Sequence, residues 1–459
     1  MSYAVVSSGV TSSGVGVGYY DRLLVEDGGT ASATHIRGAE LVQSGGLTKG
    51  DVVSSGGGQT IAAGGTATDV TVLAGGLEWL DAGSHDSAIT ISSGGRLVLD
   101  GLVVSSHASL EIKQPTGASS SIWGATLDAG AHIGLVDVSV SGGGTLKLDA
   151  GVLAFGAMVS AGGSLTGAGS LRGAVRDAGL VSGLTLGAAS VAVTSGGVLE
   201  GDALGAAAHV TVATGARASG LTIGSGAVAS ISGGVISGSV VHEYGTLGLV
   251  SGGKAIGTVG SGGFVEIYSG GEADGTILRG DGEQHIGKGG VASGTMISSG
   301  GGEVVAGGKS IGATVFNGGV EEIDAGSTVS GLTLGSGAEL DWNDSNATIT
   351  GLKLAAGADI FVPVTSGKAV ISGSTLEIEN VHGTVLGKAT LANTNVSLVS
   401  KSVGGGYTEI EVEAAATSTK AAIFSQAMAT HGAATATAAV STPTHSATAD
   451  AVPRLVAPH

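Results

Sequence analysis

The chain has 459 residues, including 88 glycines and no cysteine, and its formal net charge is −18 at pH 7. A chain this acidic, without a cluster of Lys and Arg, is unsuited to binding nucleic acid, and the missing cysteines exclude disulfides and thiolate metal sites. No apolar run approaches the ~20 residues of a membrane helix, so no membrane-spanning segment is predicted.

Residues 1–46 are predicted to form N-terminal cap coils, because Gly-Gly pairs at 28–29 and 45–46 already approach the spacing of the later repeats. The first seven residues lack a basic segment followed by an apolar one, so no secretory signal peptide is predicted. From residue 47 to residue 100 two apolar columns repeat every 19 residues, and the second follows the first by 8. The first column is Val53, Val72 and Ile91, and the second is Ile61, Leu80 and Leu99.

Between residues 101 and 222 the register of this repeat drifts. Val140 and Leu148 keep the 8-residue offset, but Pro115 and an Ala/Gly-rich run at 201–208 interrupt the spacing. We interpret this region as irregular coils and loops of the same array, so that residues 47–363 form one repeat domain.

The repeat is clearest between Ile223 and Val362, where an apolar residue recurs shortly before each glycine-centred turn. The first column here is Ile223, Val241, Val259, Leu278, Ile297, Val315, Leu334 and Leu354. The second column, 8 residues later in each coil, is Ile231, Leu249, Ile267, Ile286, Val305, Ile323, Trp342 and Val362. Steps of 18 to 20 residues with strand-like apolar positions and glycine turns are typical of a β-solenoid.

We therefore predict an all-β fold, a single-stranded parallel β-helix or β-solenoid with coils of about 18–20 residues. One coil is too short to bury its own apolar face, but stacked coils lie about 4.8 Å apart and cover each other's side chains. The two columns from Leu278 to Val362 should form the core ladder of this stack. Glycine at the corners permits turns with positive φ, which other residues adopt only at a steric cost.

Pro363 cannot donate a hydrogen bond to a ladder, so the repeat array is predicted to end there. Residues 364–413 still alternate apolar and polar positions and are predicted to be terminal coils or a C-terminal cap. Residues 414–459 are rich in Ala, Thr and Ser, with hardly any glycine, and are predicted to be a flexible tail. A short helix is predicted from Ala421 to Met428 within this tail.

Three strings resemble the repeats of a known family: VVSSGG from Val52, TISSGG from Thr90 and MISSGG from Met296. They are similar to the V-x-S-S-G-G-T repeats of AIDA-type autotransporter passengers, the self-associating adhesins of Gram-negative bacteria. The likeness spans residues 5 to 360 and implies a right-handed β-helix displayed on the cell surface. It also implies a role in adhesion, autoaggregation and biofilm formation. We expect neither the family's long signal peptide nor its C-terminal membrane barrel within this sequence.

The family likeness further implies that serines of these strings are heptosylated by a dedicated transferase. The candidate sugar acceptors lie between an apolar column residue and the glycine turn, and they are Ser54, Ser55, Ser92, Ser93, Ser298 and Ser299. The residues alone allow a simpler explanation, since serine is favoured at turns, where its hydroxyl bonds nearby backbone.

The most polar stretch on the ladder runs from Asp341 to Asn346. Because Trp342 falls in the inward column, Asp341 and Asn343 are predicted to point outward. Their oxygens would suit Ca²⁺, or Asp341 and Asp344 would form the acid/base pair of a glycosidase; the alternative is a solvated corner. The histidines show no H-x-x-x-H spacing, so no metal site, cofactor or catalytic residue is predicted.

The leading functional hypothesis is a non-enzymatic, secreted or surface-displayed β-solenoid that acts in adhesion, self-association or biofilm formation. Its partners would be itself or other surface proteins and glycans, at the bacterial cell surface or outside the cell. The first alternative is a polysaccharide-active β-helix enzyme, a lyase or a depolymerase, whose groove would lie in the irregular region. The second alternative is a passive structural spacer.

Overall fold

The computed structural model describes residues 2–117, 119–122, 124–344 and 346–415. Every regular element in this part of the chain is a β-strand, and the strands stack into a parallel β-solenoid of about 19 coils. The predicted fold class is therefore confirmed. The tail from residue 416 onward, including the predicted helix at Ala421 to Met428, lies outside the described residues.

The strands of the N-terminal coils are β1 (Tyr3–Val6), β2 (Thr11–Ser13), β3 (Gly16–Val17), β4 (Arg22–Val25), β5 (Thr30–Ser32), β6 (His35–Ile36), β7 (Ala39–Val42), β8 (Leu47–Lys49), β9 (Val52–Val53), β10 (Gly58–Ile61), β11 (Thr66–Thr68), β12 (Thr71–Val72), β13 (Leu77–Asp81), β14 (His85–Ser87), β15 (Ile89–Ile91) and β16 (Arg96–Asp100). Those of the middle region are β17 (Val103–Val104), β18 (Ser109–Ile112), β19 (Ser120–Ile122), β20 (Ala125–Leu127), β21 (His132–Val140), β22 (Thr145–Leu148), β23 (Leu153–Val159), β24 (Ser164–Gly167), β25 (Ser170–Asp177), β26 (Leu180–Ser182), β27 (Thr185–Val193), β28 (Val198–Glu200), β29 (Ala203–Leu204), β30 (His209–Ala213) and β31 (Arg217–Ser219).

The C-terminal coils contain β32 (Thr222–Ile223), β33 (Val228–Ser232), β34 (Val235–Ser237), β35 (Val240–His242), β36 (Thr246–Val250), β37 (Lys254–Ile256), β38 (Val259–Ser261), β39 (Phe264–Ile267), β40 (Glu272–Asp274), β41 (Ile277–Arg279), β42 (Glu283–Gly287), β43 (Val291–Ser293), β44 (Met296–Ile297), β45 (Gly302–Ala306), β46 (Lys309–Ile311), β47 (Thr314–Val315), β48 (Val320–Ile323), β49 (Thr328–Ser330), β50 (Thr333–Leu334), β51 (Glu339–Trp342), β52 (Thr348–Leu354) and β53 (Asp359–Val362). The last strands are β54 (Lys368–Ser372), β55 (Thr375–Glu379), β56 (Val385–Leu391), β57 (Val396–Gly404) and β58 (Tyr407–Ala414).

Each regular coil contributes three short strands, and each strand pairs in parallel with its equivalents in the coils before and after. In one such coil β10, β11 and β12 pair with β13, β14 and β15 of the next coil. One stack continues through the whole array, and we call it the long stack. Its strands are β1, β4, β7, β10, β13, β16, β21, β23, β25, β27, β29, β32, β35, β38, β41, β44, β47, β50 and the end of β52.

The corners are four-residue turns whose backbone groups also form hydrogen bonds between successive coils. In the turn from Ser54 to Gly57 the Gly57 N–H donates to the Ser54 carbonyl at 2.8 Å, and Gly56 has φ of +80°. This is the geometry in which glycine is favoured at the third position. The Gly56 N–H donates in turn to the Gly75 carbonyl of the next coil at 3.0 Å, so the backbone ladder continues around the corner.

Residues 3 to 46 already follow this pattern, since β1, β4 and β7 are consecutive members of the long stack. At the other end the pairing changes direction. The strand β58 pairs antiparallel with β53, and β54, β55 and β56 form an antiparallel meander. An antiparallel strand laid across the last coil occupies its open backbone edge, which limits edge-to-edge association there.

The inward columns of the C-terminal coils are stacked as continuous ladders. Each of these side chains is at most 3% exposed: Leu278, Ile297, Val315, Leu334 and Leu354 in the long stack, and Ile286, Val305, Ile323, Trp342 and Val362 in the neighbouring stack. The cross-coil partners include Leu278 with Ile297 and Ile323 with Trp342.

The assignment of Val259 to the first column is wrong. Val240 pairs with Val259, whereas Val241 pairs with Gly260, which in turn pairs with Leu278. Gly260 therefore occupies the inward position, and a Cβ on it would lie 2.9 Å from the Leu278 Cδ2 atom. The Leu278 side chain fills the space that the glycine leaves, so Val259 faces outward.

In the irregular region the repeat motif moves from one face of the solenoid to the next. Leu97 pairs with Ile133, and the 36-residue step between them includes the antiparallel pair β19–β20. Across this insertion one inward column of the long stack runs through consecutive coils as Leu99, Leu135, Ala154, Leu171, Leu186, Leu204 and Ile223. The second column of the N-terminal coils thus becomes the first column of the C-terminal coils.

Candidate binding surface

The six candidate acceptor serines lie at corners, but not at one corner. Ser55, Ser93 and Ser299 are exposed, while Ser54, Ser92 and Ser298 are half-buried. The Ser54 turn directly precedes β10 of the long stack, whereas the Ser298 turn directly follows β44 of the same stack. Because of the change of register, serines that are equivalent in the repeat therefore lie on two different edges of the solenoid.

A row of acidic side chains covers the outward surface of β39, β42, β45, β48, β51 and β53, which we call the acidic face. One of its columns runs from coil to coil as Glu266, His285, Val304, Glu322, Asp341 and Phe361. These strands alternate inward and outward side chains, so the residues between the buried core positions must face solvent. The face is continuous because its strands pair in register from coil to coil.

His285 is held between two carboxylates on this face. Its Nδ1 atom lies 3.2 Å from Glu266 Oε1, and its Nε2 atom lies 3.2 Å from Glu283 Oε2. The hydrogen bonds to Glu266 and then to Glu283 raise the pKa of His285 to about 10. The Phe264 ring lies beside it, with a centroid separation of 6.4 Å. At neutral pH this imidazole is therefore a cation that neutralises part of the acidic face.

Farther along the face, carboxyls are neighbours in consecutive coils. Glu322 and Asp341 are direct neighbours across two coils, and burial, followed by the charges of Asp324 and Asp341, raises the pKa of Glu322. The Asn343 amide donates to Glu322 Oε1 at 2.7 Å and to Asp324 Oδ1 at 3.2 Å. Asn343 thus bonds both Glu322 and Asp324, which lie one coil before it.

Asp344 lies in the loop that follows Trp342. Its carboxylate accepts the Asn346 N–H at 2.6 Å, and its backbone carbonyl accepts the Trp342 indole N–H at 2.8 Å. The first contact is an Asx-type turn, so this carboxylate organises its own loop. Within the described ranges no group of three or more His, Asp or Glu side chains is arranged to hold a metal ion.

Two ladders of acidic and amide side chains lie inside the solenoid, and sequence reasoning missed both. The first stacks Glu40, Gln59 and Glu78 in consecutive coils, and the second stacks Gln284, Glu303 and Glu321. All six side chains are at most 2% exposed. Their positions in the sequence do indicate this burial. Each lies two residues before a second-column residue, so its side chain must point in the same inward direction.

The first ladder is partly satisfied by neighbouring polar groups. Thr48 donates to Glu40 Oε1 at 3.2 Å and also bonds Asp51, and the Gln59 amide donates to Asp51 Oδ2 at 2.9 Å. Both carboxyl oxygens of Glu78 have no hydrogen-bond partner within the described residues. Burial, and then the charge of Asp51, raises the pKa of Glu40 to about 8; burial also raises the pKa of Glu78 far above its usual value.

The second ladder is bonded in a similar way. Gln284 donates to Glu303 Oε2 at 2.6 Å, and Ser310 donates to Glu303 Oε1 at 2.6 Å. Burial raises the pKa of Glu303, and burial followed by the charge of Glu303 raises that of Glu321. A carboxyl group in an apolar interior is neutral because the charged form would lose its hydration.

A cleft of about 330 Å³ opens where the N-terminal register ends, beside β14 and β16. Asp81, Asp86 and Asp100 line it. Burial raises the pKa of Asp86, and burial, followed by the charges of Asp81 and Asp137, raises that of Asp100. The cleft therefore brings several carboxyls together, and the pKa values of Asp86 and Asp100 are raised there.

These features define a parallel β-solenoid with an acidic outer face, acidic ladders in its interior and small polar corners. No protein-family model and no curated protein matches the chain. One similar solved structure is the TibC-catalysed, hyper-glycosylated fragment 55–350 of TibA, at 21% identity over 78% of this chain and 99% of that one, with a TM-score of 0.26. Another is the Dettilon tailspike protein gp208, at 12% identity over 79% of this chain and 70% of that one, with a TM-score of 0.17. At these TM-scores neither likeness carries an argument about function.

None of the described residues belongs to a helix long and apolar enough to cross a membrane.

Proposed function

We propose that this β-solenoid is a non-enzymatic, secreted or surface-displayed protein that acts in adhesion, self-association or biofilm formation. The observation that supports the proposal most is the outer surface of the long stack, whose strands pair in parallel from coil to coil through an array of about 19 coils. Contacts that are individually weak become effective when many are made together. The resemblance of the VVSSGG, TISSGG and MISSGG strings to self-associating passengers points to the same role.

The experiment is sedimentation velocity of the full chain over a range of protein concentrations, at low and at high salt. The charge of −18 opposes association, and salt screens that repulsion over about 8 Å at physiological ionic strength. We expect association to strengthen as salt rises. A strict monomer at every concentration and salt would refute self-association and leave binding to other surface proteins or glycans, or a passive spacer.

One observation favours the second candidate, an enzyme that cleaves polysaccharides. The cleft lined by Asp81, Asp86 and Asp100 provides paired carboxyls of the kind that glycoside hydrolysis uses. The test is release of reducing ends or unsaturated sugars from acidic and neutral polysaccharides. Cleavage by the wild-type chain that is lost in Asp100→Asn, with unchanged thermal stability, would favour the enzyme over the adhesin.

A further inference from the structure

The outward surface of the long stack carries an apolar stripe in its first eight coils. The stripe consists of the outward residue at the middle of each strand, and its apolar members are Val5, Leu24, Leu41, Trp79, Val98 and Leu153. Thr60 and Gly134 occupy the two remaining rungs. Val5 is 42% exposed, Leu41 38% and Leu153 37%. Leu24 and Trp79 are half-buried, and Val98, at 7% exposure, is covered by its neighbours. The stripe therefore presents most of its large apolar side chains to solvent.

The charges that flank the stripe have opposite signs on its two sides. Arg22 begins β4 and Glu26 follows its last residue, and Arg96 begins β16 while Asp100 ends it. All four side chains are outward because they alternate with the buried positions of their strands. Neither arginine makes an ion pair within the described residues. One edge of the stripe is therefore basic and the other acidic at the same two coils.

We propose that the apolar stripe is covered by a second copy of this chain, packed side by side and parallel about a two-fold axis along the solenoid. This inference rests on the proposed self-association and assigns it a surface and an orientation. A two-fold axis through the stripe brings each mid-strand residue opposite its own counterpart. It also places Arg22 opposite Glu26 of the partner, and Arg96 opposite Asp100 of the partner.

The size of the stripe agrees with such a dimer. Seven steps of about 4.8 Å give a length of about 34 Å, and five strand residues give a width of about 16 Å. The footprint is about 500 Å² per copy, or about 1,000 Å² in total, which is the lower end for specific interfaces. A concentration-dependent dimer is expected rather than an obligate one. Apolar burial supplies its affinity, and the flanking charges select the parallel orientation.

Cross-linking tests the orientation directly, because the chain has no cysteine. Leu24→Cys and Thr60→Cys, each as a single variant of the full chain, are treated with a short bis-maleimide. These positions are two coils apart. In an antiparallel dimer whose two-fold axis passes through one of them, the two copies of the other residue would lie about 19 Å apart. Both variants should form cross-linked dimers. Thr328→Cys, outward on β49 of a different stack, is the control and should stay monomeric.

Charge reversal tests the pairing. Arg22→Glu should weaken dimerisation about tenfold in sedimentation equilibrium, since two attractive pairs become repulsive, and Arg22→Glu/Glu26→Arg should restore it to within about twofold. Arg217→Glu, exposed on β31, makes the same change in net charge and should have little effect. A chain that associates but ignores Arg22→Glu, or that cross-links at only one of the two cysteines, would overturn this interface and leave self-association intact. A wild-type chain that remains monomeric would overturn this interface together with the self-association on which it rests.

Discussion

Leu99 and Ile223 lie in one continuous inward column of the long stack, joined by five intervening side chains. By position in the repeat, Leu99 belongs to the second column and Ile223 to the first. Between these residues the repeat motif is therefore displaced from one face of the solenoid to the next. The parallel strand pairing of the long stack is nevertheless unbroken. As a result, the N-terminal and C-terminal coils present the same repeat position on different sides, and a surface motif cannot be followed along the solenoid by spacing alone.

Replacement of Ile297 by aspartate should destabilise the C-terminal coils. Ile297 is fully buried, and an unpaired carboxylate there would cost several kcal/mol. The measurement is urea unfolding followed by circular dichroism. Met296→Asp is the matched control, because the neighbouring Met296 points outward and is 39% exposed. Equal effects of the two substitutions would contradict the assigned inward direction.

Stability of the N-terminal coils should fall as pH rises from about 4.5 to about 8. The pKa of Glu40 is about 8 in the folded chain, against an ordinary value of 4.5. In this window the folded state keeps a proton that the unfolded state has lost, so increasing pH favours unfolding. At 1.36 kcal/mol per pKa unit the effect is at most about 5 kcal/mol.

The measurement for Glu40 is amide hydrogen exchange of β7 and β10 between pH 5.5 and pH 8.5, corrected for the intrinsic rate. Glu40→Gln keeps the shape without the ionisation and should weaken the pH dependence. Glu272→Gln, on the surface of β40, is the control. The same slope in the wild type and in Glu40→Gln would show that this carboxyl is not the group that titrates.

His285 should remain protonated well above neutral pH. Its folded pKa of about 10 exceeds the ordinary 6.5, so its stabilising pairs with Glu266 and Glu283 are fully present below about 6.5 and are lost as pH rises through about 10. Partial exposure screens these pairs, and the gain in stability is expected to be modest. The measurement is NMR titration of the imidazole carbons.

The carboxylates beside His285 supply the controls for that titration. Glu266→Gln and Glu283→Gln should each lower the pKa of His285, with the larger effect from Glu266. Glu272→Gln, on a different stack, should leave it unchanged. A titration midpoint near 6.5 in the wild-type chain would contradict the clamped geometry.

Loss of either Asp341 or Asp344 should leave self-association almost intact. Asp341 is one of several carboxyls on the acidic face, and Asp344 bonds its own loop; if binding comes from repeated contacts, no single polar side chain is essential. The measurement is the dimerisation constant of Asp341→Ala and of Asp344→Ala. A loss greater than tenfold in either variant would favour a localised site, and loss of a polysaccharide-cleaving activity would favour the enzyme.

The fold could be predicted because one physical requirement repeats along the whole chain. Each coil must bury an apolar residue at a fixed point and then turn, so Ile297, Val315 and their equivalents recur in phase with the glycines. The outward direction of Asp341 and Asn343 follows from the same alternation. The same pattern does not fix a position where glycine points inward: the apolar side chain of Val259 favours it over Gly260 for the inward column, although a shift of one residue reverses every side chain of a strand.

The sequence by itself determined the solenoid class, the length of a coil and most members of the inward columns, since these depend on local alternation and turn chemistry. Tertiary structure alone decided which repeat positions meet across the irregular region, because the insertion around β19 and β20 rotates the array by one face. It also decided that Glu40, Glu78, Glu303 and Glu321 are buried. Their burial follows from being enclosed by all sides of the coil and by the coils before and after, and that enclosure is a property of the stack rather than of any one strand.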